Sequence, residues 1–425
     1  MNKVLIISYY FPPMGMGGVQ RTLKFAKYLM DFNWQPYVLT DSPKKYYAFD
    51  DFLLQEALDS GIIIERTGKS IVNTQQVITK IPKESFRKLR SKIAQIFFIP
   101  DSKIRWKKKA LKKIDKIWKK HNGFDLVFAT APPYTDFLIG QEVKKKYKIP
   151  FVIDYRDAWV DSPVLNFYPT PFHKSSNVNK ERKVIKDANV VITTNRRVKE
   201  LIITRYGNID YNDIKIFPHG YDQADFDYAK LRKLPMTNKM RVTYSGSFYT
   251  RNPKFYLESI KIFFKNHPEL KEKVEFCFIG HFSKEHYKLA KEFNIIDYLN
   301  VIGYVNHIEC IKYIISSDVL FLLISRGENE DAAMPGKMGE YIGSRKNIIA
   351  CIPEGVTKKI LEKYEAIKFV NNEDSSEIAN KVYEYYQLFS SNKMPAANEE
   401  MVLQYDRKVM TLELSKVFNY LLDVE

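Results

Sequence analysis

The chain has 425 residues, 45% of them hydrophobic, which supplies more apolar side chain than one ordinary core holds and points to two or three domains. Lysine and arginine number 67 against 50 carboxylates, for a formal net charge of +17. No run of eighteen apolar residues exists and no charged segment leads into a long apolar one at the start, so neither a membrane span nor a signal peptide is expected and the protein reads as cytoplasmic. Cys277, Cys310 and Cys351 lack C-x-x-C spacing and read as reduced core residues rather than as a metal site or a disulfide frame.

Lys3 to Ser8 predicts a short buried strand, stopped by Pro12 and Pro13. Gly15, Gly17 and Gly18 then lead into an amphipathic helix over Val19 to Met30. Strand, glycine loop and helix N-terminus outline an anion site, open to phosphate or carboxylate. A tight turn without ligand is the alternative. The dinucleotide fingerprint fails because Gln20 stands where its third glycine belongs, and no phosphate-loop G-K-S/T occurs.

Further strands are expected at Tyr37 to Leu39, Ile62 to Ile64, Leu126 to Ala129, Phe151 to Ile153, Val190 to Thr193 and Ile214 to Phe217. Between them, residues 80–120 hold sixteen lysines and arginines against Glu84, Asp101 and Asp115. Leu89, Ile93, Ile96 and Phe97 form one helical face there and Ile104, Leu111, Ile114 and Trp118 another, split at Pro100-Asp101. Two basic amphipathic helices result, suited to a solvated face, an anionic membrane or nucleic acid; no nucleic-acid module accompanies them, which favours membrane. Residues from Asp222 to Met240 are polar, broken by Pro235, and expected to be an irregular domain boundary. Strands resume at Arg241 to Tyr244, Val274 to Ile279, Val301 to Ile302, Val319 to Leu323, Ile348 to Cys351 and Ile367 to Val370. Strand alternating with helix predicts an α/β protein with two doubly wound, Rossmann-like parallel sheets.

Ligands in such sheets bind beyond the carboxyl ends of strands, so the residues just after each strand are the informative ones. They include Asp154-Tyr155-Arg156-Asp157-Ala158-Trp159, Ser245-Gly246-Ser247, Gly280-His281 and the run Ser325 to Glu340. Five pieces in order carry a resemblance: Y-F-P-P-x4-G-G-V-Q-R at Tyr10 to Arg21, D-Y-R-D-A-W at Asp154 to Trp159, F-P-H-G-Y-D-x3-F at Phe217 to Phe226, Y-S-G-S-F-Y-x-R-N-P at Tyr244 to Pro253, and P-G-K-M-G-E-Y at Pro335 to Tyr341. Over nearly the whole chain this resembles the GT-B glycosyltransferases, specifically the retaining, nucleotide-sugar-dependent family 4.

The resemblance implies two Rossmann-like domains facing across a cleft: an acceptor-side domain over 1–222 with the basic insertion 80–120, a donor domain over 223–400, and a terminal helix, 401–425, crossing back to the first. It implies a metal-independent reaction needing no cofactor, in which cations meet the charge growing on the leaving diphosphate. Gly17, Gly18, Gly246, Arg251, Lys254 and Lys337 are the donor-binding candidates, and Glu340 matches the glutamate that accepts hydrogen bonds from ribose hydroxyls. Arg156, where many relatives have histidine, and Asp157 are the catalytic candidates; a buried Asp-Arg-Asp network that only staples the loop is the alternative. Arg21, Lys107, Lys108 and Lys112 are assigned to acceptor or membrane. Two departures stand out: Ala332 replaces the family's other glutamate, and Ser247 stands where many relatives have arginine. Asp225-x-Asp227 is not read as a metal motif, and His281 and His307 are read as loop residues.

The expected activity is transfer of a sugar from a nucleotide diphosphate to a lipid-linked glycan acceptor at the inner face of the membrane, with an anionic surface as partner and no nucleic acid. A nucleotide-sugar 2-epimerase of the same fold and a non-enzymatic nucleic-acid binder are the competing expectations.

Overall fold

The computed structural model describes residues 1–15, 17–42, 48–68, 92–161, 167–207, 209–248, 253–324, 330–371 and 373–423. Arg251, the run Ser325 to 329 and residues 80–91 of the basic insertion lie outside the described residues. The chain divides into two compact units, Met1–Pro218 with Arg407–Glu425, and His219–Asp406.

The first unit is built on a seven-stranded sheet. Its strands are β1 (Asn2–Ile7), β2 (Trp34–Thr40), β3 (Ile63–Arg66), β4 (Leu126–Ala131), β5 (Phe151–Tyr155), β6 (Val190–Thr193) and β7 (Ile214–Ile216), in the order β3-β2-β1-β4-β5-β6-β7. Every pair is parallel; Val4 lies opposite both Pro36 and Leu126. Buried on both faces, the central strands read as unbroken apolar runs, and β4 is buried along its whole length. The last helix, Arg407–Asp423, belongs to this unit, with Phe418 edge-on to Trp34 and the Trp34 indole N–H donating to Asn419 at 2.8 Å.

The second unit carries six parallel strands: β8 (Met240–Ser245), β9 (Val274–Ile279), β10 (Leu299–Gly303), β11 (Val319–Leu323), β12 (Asn347–Cys351) and β13 (Ile367–Val370), ordered β10-β9-β8-β11-β12-β13. Its core is aromatic, with Tyr256 stacked on Phe321 at 3.8 Å between ring centres. Cys277 and Cys351 are buried and all three cysteines are free thiols. In each sheet the strand order reverses beside the first strand, between β1 and β4 and between β8 and β11. The loops leaving those strands therefore flank a crevice, the place where open parallel sheets bind ligands.

Three local expectations need correction. Residues read as irregular after Asp222 form a helix, Gln223–Lys230, because the Asp222 carboxylate caps it by accepting from the Ala224 N–H at 3.0 Å. His307 opens the helix His307–Ile315, capped by Asn306, and is not a loop residue. The basic helix Trp106–Lys120 turns a different face inward, burying Trp106, Ala110, Ile114 and Ile117. Leu111 and Trp118 sit at the edge of that face, and Trp118 stacks on Tyr147 instead.

Candidate active site

In the first unit the site begins where β1 ends. The chain turns through Ser8 to Gly15 and enters the helix Gly17–Leu29, with Gly17 and Gly18 exposed at its start and no carboxylate in its first turn. Its first N–H groups carry the positive end of the helix dipole.

Arg156 holds this turn together. Its guanidinium donates to the carbonyls of Gly18 and Pro132 and, at 3.3 Å, of Ala131, while Thr194 donates to its own carbonyl at 3.1 Å. The residue expected to take part in chemistry is buried and staples the loops after β1, β4 and β5. Its neighbour Asp157 is open to solvent. Protein nevertheless crowds this carboxyl, and the desolvation raises it above the usual carboxylate range, with Asp154 adding to the shift and Arg156 opposing it. A carboxylate so placed suits orientation of an acceptor hydroxyl or acceptance of its proton.

Arg21 is placed differently from the expectation that it meets acceptor or membrane. Only 3% exposed, it makes a bidentate pair with Asp154 (Nη2 to Oδ1 2.8 Å, Nε to Oδ2 3.0 Å) and donates to the Pro218 carbonyl at 2.8 Å. Thr130 completes the carboxylate's shell at 2.9 Å. The pair ties the glycine-turn helix to the end of β5.

In the second unit β8 ends at Ser245, and Gly246 follows with φ +107°. Gly280, after β9, has φ +122°, and a Cβ there would lie 2.5 Å from the Gly246 carbonyl oxygen. The positive φ favours glycine at both positions, and at Gly280 the close approach of the Gly246 backbone leaves no room for a side chain.

Opposite them starts the helix Lys337–Ser344, whose residues 337, 340 and 341 share a face. The Lys337 ammonium donates to the Ser245 carbonyl at 2.5 Å and lies 3.7 Å from the centre of the Tyr244 ring. The Tyr341 hydroxyl accepts from the Ser245 N–H at 3.0 Å. Glu340 is half-buried and faces His307, its Oε1 3.6 Å from Nδ1. The other ring nitrogen of His307 lies 2.8 Å from Asp225 Oδ2. Asp225 is thus engaged away from Asp227, which is exposed and pairs with Gln223 and Lys230 on its own helix. Lys254 stands exposed as the first residue of the helix Lys254–Asn266. Ala332 lies in a short 3-10 turn, and Thr357 donates to the next carbonyl, Ala333, at 2.5 Å.

Sequence reasoning gave no role to His307, read as a loop residue, or to Tyr341, named only as the end of the P-G-K-M-G-E-Y piece. A signal for the first existed: Asn306 followed three residues later by Glu309 marks a helix start and places His307 in its first turn.

On the basic segment, Lys107 pairs with Glu142 at 3.0 Å and Lys113 with Glu65 at 2.7 Å, so Lys107 is not turned toward a membrane as expected. Lys108, Lys109, Lys112, Lys116 and Lys119 are exposed. Residues 92–97 are helical, with Phe97 71% exposed and Ile93 and Ile96 also outward, beside exposed Phe172. Trp106 points inward and donates to Thr67 at 2.9 Å. Among the described residues no helix is long and apolar enough to cross a membrane.

Comparison with solved structures gives matches along the full chain. Sucrose-phosphate synthase from Thermosynechococcus elongatus aligns over 100% of both chains with a TM-score of 0.65 at 13% identity. Anabaena HepE, solved in complex with UDP, covers 99% of this chain and 100% of its own with a TM-score of 0.62 at 15% identity. UDP-GlcNAc 2-epimerase from Neisseria meningitidis, bound to UDP-GlcNAc, aligns over 100% of both chains with a TM-score of 0.58 at 11% identity. A search of curated proteins found no sequence match. Identities this low establish the fold alone, whereas residues 16–225 match the family model of Glycosyltransferase Family 4. With that domain holding the glycine turn and Arg21, Arg156 and Asp157, the chain is a glycosyltransferase of the GT-B fold, similar in its N-terminal half to family 4.

Proposed function

We propose that the protein transfers a sugar, without a metal ion or cofactor and with retention at the anomeric carbon, from a nucleoside diphosphate donor to a lipid-linked glycan acceptor at the cytoplasmic face of an anionic membrane. The observation that carries the donor half is the helix Lys337–Ser344, which sets the Lys337 ammonium at the Gly246 turn and carries the Glu340 carboxylate in its first turn. Breaking the bond between the anomeric carbon and the diphosphate leaves negative charge on phosphate oxygens. Lys337 and the helix dipole are fixed where that charge is stabilised. Glu340 accepts from the ribose hydroxyls. HepE and the Neisseria epimerase, which share the fold, were solved with UDP and UDP-GlcNAc. In the other unit Asp157 orients the acceptor hydroxyl.

The acceptor half rests on the exposed lysines of Trp106–Lys120 beside outward Ile93, Ile96 and Phe97. Each lysine near an anionic bilayer contributes up to ~1 kcal/mol within a Debye length. An epimerase reading draws on the Neisseria structure but leaves this basic, apolar surface unused.

A thermal-shift panel of nucleoside diphosphates and their sugars, with and without EDTA, tests the donor reading, since a ligand that binds only the folded state raises the melting temperature. No shift with any of them overturns it. Transfer that stops on chelation and returns with manganese overturns the metal-free mechanism. A product of inverted configuration by NMR overturns retention. Conversion of the nucleotide sugar into its C2 epimer, with the nucleotide still attached and no transfer, favours the epimerase.

A further inference from the structure

We infer that His307 is a positioning residue for the ribose-binding carboxylate: the middle of a buried Asp225–His307–Glu340 chain that aims one oxygen of Glu340 at the nucleotide. The inference rests on the proposed role of Glu340. It adds two residues to which no comparison and no motif assigns a role.

Three helices contribute one residue each. Asp225 comes from Gln223–Lys230, His307 opens His307–Ile315, and Glu340 lies in the first turn of Lys337–Ser344. The imidazole joins them, with Nε2 2.8 Å from Asp225 Oδ2 and Nδ1 3.6 Å from Glu340 Oε1. The side chains of Asp225 and His307 are 5% exposed and that of Glu340 12%, so water screens these contacts poorly. Cys310, one turn beyond His307, lies close enough to Glu340 that the carboxylate adds to the effect of burial in holding its thiol above the usual range. Glu340 thus packs against the helix that His307 opens.

The chemistry follows from what each atom can do. Asp225 is an acceptor, so the hydrogen-bonded ring nitrogen, Nε2, carries a hydrogen, and this sets the orientation of the ring. With a hydrogen on Nδ1 as well, the ring presents a cationic donor to Glu340 Oε1. At 3.6 Å the contact is longer than a hydrogen bond, and it shortens readily when a ligand orders the carboxylate. A glutamate side chain has three rotatable bonds, and an oxygen held from behind no longer loses that freedom on binding. Asp225 therefore acts on the ribose through two intervening groups.

The test uses the nucleoside diphosphate that binds best among UDP, GDP and ADP, together with its 2′,3′-dideoxy counterpart. Affinities are measured by titration calorimetry on the full chain. In His307→Gln the amide nitrogen takes the place of Nε2 and loses Glu340; in His307→Asn it takes the place of Nδ1 and keeps Glu340. Loss of one charge-assisted hydrogen bond is worth about tenfold in affinity. Glu340→Gln and His307→Gln should each weaken the ribonucleotide by about that factor and bring it close to the dideoxy nucleotide, for which they change little. His307→Asn should stay within about threefold of the parent. Asp225→Asn, which keeps an acceptor for Nε2 but removes the charge, should fall between them and serves where a histidine variant fails to fold.

Equal losses on both nucleotides in the His307 and Asp225 variants, or no loss in His307→Gln, overturn the inference while the role of Glu340 stands. If Glu340→Gln itself does not distinguish the two nucleotides, the ribose reading is wrong and the inference falls with it.

Discussion

The turns that follow the first strand of each sheet, after β1 and after β8, are assembled from the same parts, glycine, a helix start and a nearby cation, yet the cations are used differently. After β1 the guanidinium of Arg156 spans three backbone carbonyls and Arg21 is locked onto Asp154. A planar fork of fixed donors suits fixed acceptors, so these charges belong to the frame. After β8 the cation is Lys337, which holds one carbonyl from a flexible stem and rests on an aromatic face. A compact ammonium with rotatable donors suits an anion that arrives and departs. Frame residues should then report in stability and ligand residues in binding.

The largest effect is expected at Asp154. Asp154→Ala leaves Arg21 buried without its counter-ion, which should lower folding stability by about 3–5 kcal/mol in urea titrations. A loss below about 1 kcal/mol would break the comparison, since the pair would then not belong to the frame.

Glu181, in the helix Pro171–Asp187 of the same unit, is a second frame carboxyl. Burial raises it to about 7, against hydrogen bonds from Tyr206 and the Val160 backbone and the charge of Arg205, while Asp161 raises it further. Because its folded pKa lies above the unfolded one, the folded state binds the extra proton. The associated stability is present below about pH 4.5 and is lost as pH rises through about 7. Glu181→Gln should therefore be more stable than the parent at pH 8 by on the order of 3 kcal/mol, with the difference fading by pH 4. A pH-independent difference in thermal melts would remove Glu181 from the titrating frame.

Lys337→Met should leave folding nearly intact and weaken a nucleoside diphosphate by about 1.5–3 kcal/mol, with a smaller loss for the corresponding nucleoside. Equal losses on the two ligands would place Lys337 with the frame. The smallest effect on folding, within about 0.5 kcal/mol, is expected on changing Lys108, Lys109, Lys112, Lys116 and Lys119 together to Gln, since all are exposed. The same variant should lose sedimentation with anionic liposomes at low salt. If both proteins bind equally, or neither binds, the lysines form only a solvated face.

Much of the fold was legible because its signals are local. Parallel strands buried on both faces are written as short apolar runs such as Leu126 to Ala129 and Val319 to Leu323, and the structure has a strand over each. The strand-end rule likewise reached Gly246, Lys337 and Glu340 before any geometry was known. The helix Trp106–Lys120 was less legible, since its apolar residues fit two adjoining faces and only packing against its neighbours selects Trp106 and Ile117 over Leu111 and Trp118.

By itself, then, the sequence determined the strands and which loops leave the strands' carboxyl ends, because periodicity acts within a few residues. Tertiary structure alone decided which charges are partners. Arg21 meets a carboxylate 133 positions away and His307 one 82 positions away. No local pattern encodes such pairs; they arise when burial brings distant ionic groups together and the low dielectric leaves each the choice of a partner or a large desolvation cost.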